Sequence, residues 1–111
     1  MTLGDKRRIF THNVAMLILY AETLGYRMAI GNTTGKTNLK TSLHPLGLAV
    51  DMHLYKQNSK GSWVYQRSTS AHKELGEFWK SLHILNRWGG DFSNPDGNHY
   101  SIAHRDRDWE T

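Results

Sequence analysis

Two short segments carry the residues best suited to chemistry: Ser42-Leu43-His44-Pro45-Leu46-Gly47-Leu48-Ala49-Val50-Asp51 and Asp96-Gly97-Asn98-His99. Together they supply two imidazoles and two carboxylates, the donor set of a catalytic zinc site. Zinc in hydrolases is commonly held by three protein nitrogens or oxygens, with a fourth position left for water. His44 and Asp51 form a close pair and His99 is the distant third donor. Asp96, just ahead of His99, is then placed to act as base for that water, because the reaction needs a carboxylate beside the water and off the metal. A lone histidine or aspartate is usually a surface or structural residue, so the combined spacing carries the reading.

Other polar residues near these segments read differently. His53 lies two residues beyond Asp51 and is a competing donor one step farther along. Ser42 reads as a hydroxyl that orients substrate or supports the first ligand, since no Gly-x-Ser-x-Gly elbow surrounds it to make a nucleophile. Trp88, ahead of Gly89-Gly90-Asp91, reads equally as core or as the wall of a substrate groove. His12, His72 and His83 fall on helical segments away from the ligands, where solvated or capping roles are expected. His104 lies in a mixed-charge tail expected to be solvated.

These residues must be positioned by a small set of elements. Phe10, Val14, Leu17, Ala21 and Leu24 recur at helical spacing, which predicts a helix over residues 5–24 stopped at Gly25. Residues 26–30 read as a short strand and 31–38 as a polar loop. Strict alternation over 48–55 puts Leu48, Val50, Met52 and Leu54 on one face and Ala49, Asp51, His53 and Tyr55 on the other. A turn over 56–62 and a β-rich 63–65 complete a hairpin. A second helix is expected over 71–85, with Leu75, Phe78, Trp79 and Leu82 as its buried stripe. Residues 86–97 read as a loop and 98–102 as a last strand, on which His99 and Ser101 share a face. The order describes an α+β fold, a small antiparallel sheet flanked by helices. If the Asp51 and His99 strands pair with polar faces in register, their Cβ atoms come within roughly 5 Å, and His44 folds over from the preceding loop.

Length and composition bound the rest. At 111 residues the chain reads as one domain, 1–111, with room for a single modest core. The absence of cysteine excludes disulfides, thiolate ligands and a cysteine nucleophile, so a metal must be held by carboxylates and by some of the seven histidines. No apolar segment at the start reads as an export signal and no run approaches a membrane span, so synthesis in the cytosol without a membrane anchor is expected. A net charge of +4 favours an anionic partner. Nucleic acid is not the expected one, since no basic cluster exceeds Lys6-Arg7-Arg8 and no nucleic-acid motif is present. A monomer is expected.

The pattern Ser42-x-His44-x-x-Gly47-x-Ala49-x-Asp51 followed by Asp96-x-x-His99 resembles the signature of a zinc peptidase group, that of D-Ala-D-Ala carboxypeptidases and L-alanyl-D-glutamate endopeptidases. In pattern it is most similar to bacteriophage endolysins. The resemblance extends through the first helix, through Leu75-Gly76-Glu77-Phe78-Trp79-Lys80-Ser81-Leu82-His83, and through Arg87-Trp88-Gly89-Gly90-Asp91-Phe92. It implies a hedgehog/DD-peptidase-like fold, a Zn2+ cofactor held by His44, Asp51 and His99, and Asp96 as the catalytic carboxylate. It further implies hydrolysis of the L-Ala–D-Glu bond in the peptidoglycan stem peptide. Such an enzyme, made in the host bacterial cytoplasm, reaches the wall once a separate factor permeabilises the membrane. The endolysins carry an Arg between the first strand and the Ser-His motif, whereas residues 31–40 here hold only Lys36 and Lys40 as cations, without the planar fork of a guanidinium. Two alternatives stand beside this reading: a D,D-carboxypeptidase or dipeptidase acting on D-Ala-D-Ala ends, and a non-catalytic zinc-stabilised binding domain like the hedgehog relatives.

Overall fold

The structure, a computed structural model, describes residues 1–33 and 42–104. Lys36 and Lys40, most of the anticipated polar loop, and the tail beyond His104 lie outside the described residues. The elements in chain order are α1 (Leu3–Thr23), β1 (Tyr26–Ile30), β2 (Ala49–Gln57), β3 (Trp63–Tyr65), α2 (Lys73–Leu82), β4 (Asn86–Trp88) and β5 (His99–Ile102). This is the α+β architecture anticipated from the periodicities, with the helices set against an antiparallel sheet.

Helix α1 begins two residues earlier than the apolar pattern alone suggests, because Thr2 caps it. The Thr2 hydroxyl accepts the Asp5 N–H at 3.1 Å while the Asp5 carboxylate accepts the Thr2 N–H at 2.8 Å. At the other end Gly25 takes a φ of 88°, which lets the chain turn directly into β1. Phe10, Leu17 and Ala21 face the core, as the spacing requires.

The sheet runs in the order β1-β2-β5-β4, with β3 also paired to β2. Strand β2 is the organiser: β1 lies along one edge, while β5 takes its first half and β3 its last half. The hairpin turn between β2 and β3 is closed by Asn58, whose side-chain oxygen accepts the N–H groups of Lys60 and Ser62 at 2.9 and 3.0 Å. Val50, Met52 and Leu54 point into the core against Trp79, Tyr100 and Ile102. Trp79 pins the layers together, donating its indole N–H to the carbonyls of Arg87 and Ser101 at 3.0 and 3.1 Å.

Three local expectations are corrected. The second helix is shorter than 71–85: a 3₁₀ turn over Thr69–His72 precedes it, and His83 adopts extended backbone that ends it. Residues 86–88, read as loop, form β4, a strand too short to carry a period of its own and defined by its pairing with β5. His72 and His104 are buried rather than solvated, at 2% and 8% exposure. His104 Nδ1 accepts the Lys6 ammonium at 3.1 Å, and His72 Nδ1 is hydrogen-bonded to the Tyr100 hydroxyl at 2.8 Å.

Two outcomes follow from this packing. A Cβ on Gly76 would sit 2.1 Å from Trp88 Cδ2, so Gly76→Ala is expected to lose about 3 kcal/mol or more in denaturant unfolding, well beyond its gain in helix propensity. Burial, aided by the nearby His53, brings the His72 imidazole down to about 4. The unfolded chain takes up this proton first, near pH 6.5, so the His72 contribution is complete above that pH and is lost as pH falls toward 4, roughly 3 kcal/mol in all. Unfolding midpoints of the metal-free protein between pH 7 and 4 measure this, and His72→Gln, which keeps a hydrogen-bond partner for Tyr100, should flatten that part of the slope.

Candidate metal centre

Asp51 and His99 stand directly opposite each other in the antiparallel register of β2 and β5. The Asp51 backbone is tied on its other edge as well, its carbonyl accepting the Gly31 N–H at 2.7 Å and its N–H donating to the Asn32 carbonyl at 2.9 Å. His44 opens a 3₁₀ turn over His44–Leu46, which Gly47 closes with a φ of 74°. That left-handed residue returns the chain into β2 and holds His44 over the start of the strand.

The three side chains converge. His44 Nε2 lies 3.3 Å from Asp51 Oδ1, and His99 Nδ1 lies 3.6 Å from the same oxygen. One ligand atom from each residue falls within 4.8 Å of the others. A tetrahedral zinc with bonds of about 2.0–2.1 Å has ligand-to-ligand edges of about 3.3 Å, so the donor types and their spacing fit zinc. The two imidazoles present opposite nitrogens to the centre, and each outward nitrogen meets a serine: Ser42 Oγ lies 3.2 Å from His44 Nδ1, and Ser101 Oγ 3.0 Å from His99 Nε2. In the tautomers whose outward N–H groups donate to these hydroxyls, the inward nitrogens present their lone pairs for a metal. Burial works to raise the Asp51 carboxyl, but the hydrogen bonds and charge of His44 and His99 prevail and hold it at about 2.

Asp96 sits on the approach to this cluster without joining it. Its carbonyl accepts the His99 N–H at 3.1 Å, and its own N–H donates to the Gly89 carbonyl at 2.8 Å. The residue is exposed, yet its carboxyl is partly desolvated. That desolvation, followed by the Asp51 charge, raises its pKa above the ordinary carboxylate value, against a smaller opposing pull from His99 and His44. A Cβ on Gly89 would lie 2.0 Å from the Asp96 carbonyl oxygen, so only glycine allows this loop to close on itself.

Ser42 is at the first ligand, as its position two residues before His44 suggested. Trp88 lies in the core, 4% exposed, and does not line the open sheet face. It still supports the site, donating its indole N–H to the Gly97 carbonyl at 2.7 Å and so anchoring the loop that carries Asp96. His53 shares the Asp51 face but stands outside the cluster, with Nδ1 3.4 Å from the Tyr65 hydroxyl. Sequence reasoning missed Ser101 as a partner of His99, although the shared face of the two residues on one strand was the available signal. It also missed Phe92, whose ring lies 5.1 Å from that of His99.

A small antiparallel sheet presenting two histidines and an aspartate around one point, backed by helices, defines an α+β domain with a site suited to a catalytic metal. The profile of the D-alanyl-D-alanine carboxypeptidase family matches residues 34–102, a span that contains all three candidate ligands and Asp96, and the chain belongs to this peptidase family. No curated protein matches the chain.

Zinc analysis of the purified protein is expected to find one ion per chain. His44→Ala, Asp51→Ala and His99→Ala should each weaken binding by orders of magnitude, since three ligands leave no redundancy. Full occupancy in all three variants would remove the assignment, and an equal loss in His53→Ala would bring that residue into the set.

Proposed function

We propose that the protein is a zinc-dependent peptidoglycan endopeptidase of endolysin type that hydrolyses the L-Ala–D-Glu bond of the stem peptide. The observation that carries the reading is the convergence of His44, Asp51 and His99 with the raised Asp96 carboxyl beside them. The form of the motif, Asp96-x-x-His99, supports the endolysin branch. The net charge of +4 suits an anionic wall.

His44, Asp51 and His99 would hold the zinc, which supplies Lewis acidity that polarises a carbonyl and acidifies a water. Asp96 takes the proton of the attacking water on its carboxylate and returns it to the departing amine. Its elevated pKa brings it nearer the working pH, where a carboxylate both accepts and releases a proton readily. Ser42 and Ser101 hold the imidazole tautomers that this arrangement requires. No described helix is long and apolar enough to cross a membrane. The setting we propose is the host cytoplasm, with access to the wall after the membrane is breached.

The family match favours a second reading, cleavage of terminal D-Ala by the same centre. Digestion of purified wall followed by mass spectrometry separates the two: a new D-Glu amino terminus supports the endopeptidase, and released D-Ala supports the carboxypeptidase. Asp96→Asn keeps the shape and removes the proton acceptor, so wall hydrolysis should fall by about 10² to 10⁴ while zinc content and fold persist. Near-normal hydrolysis by that variant would exclude Asp96 as the base, and loss of zinc would make it a ligand.

A further inference from the structure

The sheet face that presents the ligands continues past them. From Asp51 it runs along β2 through His53 and Tyr55, and the pairs Tyr55↔Tyr65 and Gln57↔Trp63 place two more aromatic rings on the same face from β3. The rings are contiguous: His53 and Tyr65 are 5.6 Å apart between centroids, as are Tyr65 and Tyr55. Across β2, Arg27 lies on this face and sets its guanidinium 5.3 Å from the Trp63 ring. Trp63 and Tyr65 are 44% and 40% exposed on a three-residue edge strand. Rings left open on a sheet edge invite self-association, so their presence calls for a use.

The chemistry of the strip suits a pyranose. A sugar ring offers C–H bonds on its faces and hydroxyl and amide groups around its rim, whereas Tyr and Trp offer flat apolar faces with a polar tip. Arg27 and the tyrosine hydroxyls supply hydrogen bonds at the edge. The distance also suits one. Asp51 and Tyr55 are four residues apart on one strand, roughly 13 Å. In peptidoglycan the first alanine is joined through a lactyl group to an amino sugar, so that ring begins roughly 7 Å from the alanine carbonyl and the next ring lies roughly 5 Å farther.

We propose that Tyr55, Tyr65, Trp63 and Arg27 form a subsite for the N-acetylated amino sugars of the glycan strand that bears the stem peptide. The inference rests on the peptidoglycan endopeptidase reading and deepens it. With the stem laid along β2 toward β3, cleavage after the first alanine brings the second ring over Tyr55 and Tyr65, and the strip continues to Trp63, opposite Gln57 and roughly 20 Å from Asp51.

Two measurements on the zinc-loaded protein test this. In the first, chitotetraose is titrated while the Trp63 indole N–H is followed by NMR. A saturable shift is expected in the wild type, weakened roughly five- to ten-fold in Tyr65→Ala and in Arg27→Ala. In the second, kcat/KM is compared between a disaccharide-linked stem peptide and the bare peptide. The wild type should prefer the former by roughly ten-fold, and Trp63→Ala and Tyr65→Ala, folded by circular dichroism, should lower that ratio toward one. Absence of any chitotetraose shift, or a ratio unmoved by either variant, overturns the proposal. So does a concentration-dependent dimer that Trp63→Ala abolishes, because the strip would then serve a second copy of the chain. If neither peptide is cut while chitotetraose still moves Trp63, the peptidase reading fails and the saccharide site stands. Cleavage of both peptides with no saccharide response does the reverse.

Discussion

A slip of one residue between β2 and β5 would send Asp51 and His99 to opposite faces of the sheet, because side chains alternate along each strand, so the site depends on the register that sets them opposite each other. That register is fixed from the other face. Val50 stands opposite Tyr100, both buried, and the Trp79 indole holds the Ser101 carbonyl of β5 and the Arg87 carbonyl of β4 at once. The apolar core therefore specifies the polar site on the opposite face. His44 is tied to the same frame through the Gly47 turn, whose backbone N–H returns to the His44 carbonyl at 3.0 Å.

Burying two imidazoles beside a carboxylate is costly unless every polar atom finds a partner. Here the outward nitrogens meet the Ser42 and Ser101 hydroxyls, and the inward nitrogens converge on Asp51 Oδ1, where one shared cation would satisfy all three ligand atoms. Asp96 is governed differently. Its loop is bound by the Gly89 carbonyl, by the Trp88 indole at Gly97, and by the Thr69 hydroxyl, which accepts the Gly97 N–H at 3.2 Å. Core and turn residues hold this carboxylate near the cluster while leaving it off the cluster and open to solvent.

Much of this was legible in the sequence because it rests on local periodicity. The α1 stripe and the alternation of β2 are strong signals, and the alternation alone put Asp51 on the face away from the core. The spacing of His44, Asp51, Asp96 and His99 pointed to one site, and the structure gathers the three candidate ligands there. What escaped were features created by distant partners. Strand β4 exists through its pairing with β5, and His72 is buried because Tyr100, from another element, supplies a hydroxyl. His104 is buried against Lys6 from the opposite end of the chain. The exposed rings of β3 were visible as a β-rich triplet, but their alignment with the metal face required the register of the hairpin.

Anomalous diffraction at the zinc edge from crystals of the zinc-loaded protein tests the central claim most directly. The account predicts a single peak about 2.0–2.2 Å from His44 Nε2, Asp51 Oδ1 and His99 Nδ1, with the Asp96 carboxylate nearby but outside bonding distance. A peak bonded to His53 or Asp96 in place of one of these ligands, or no peak between β2 and β5, would contradict it.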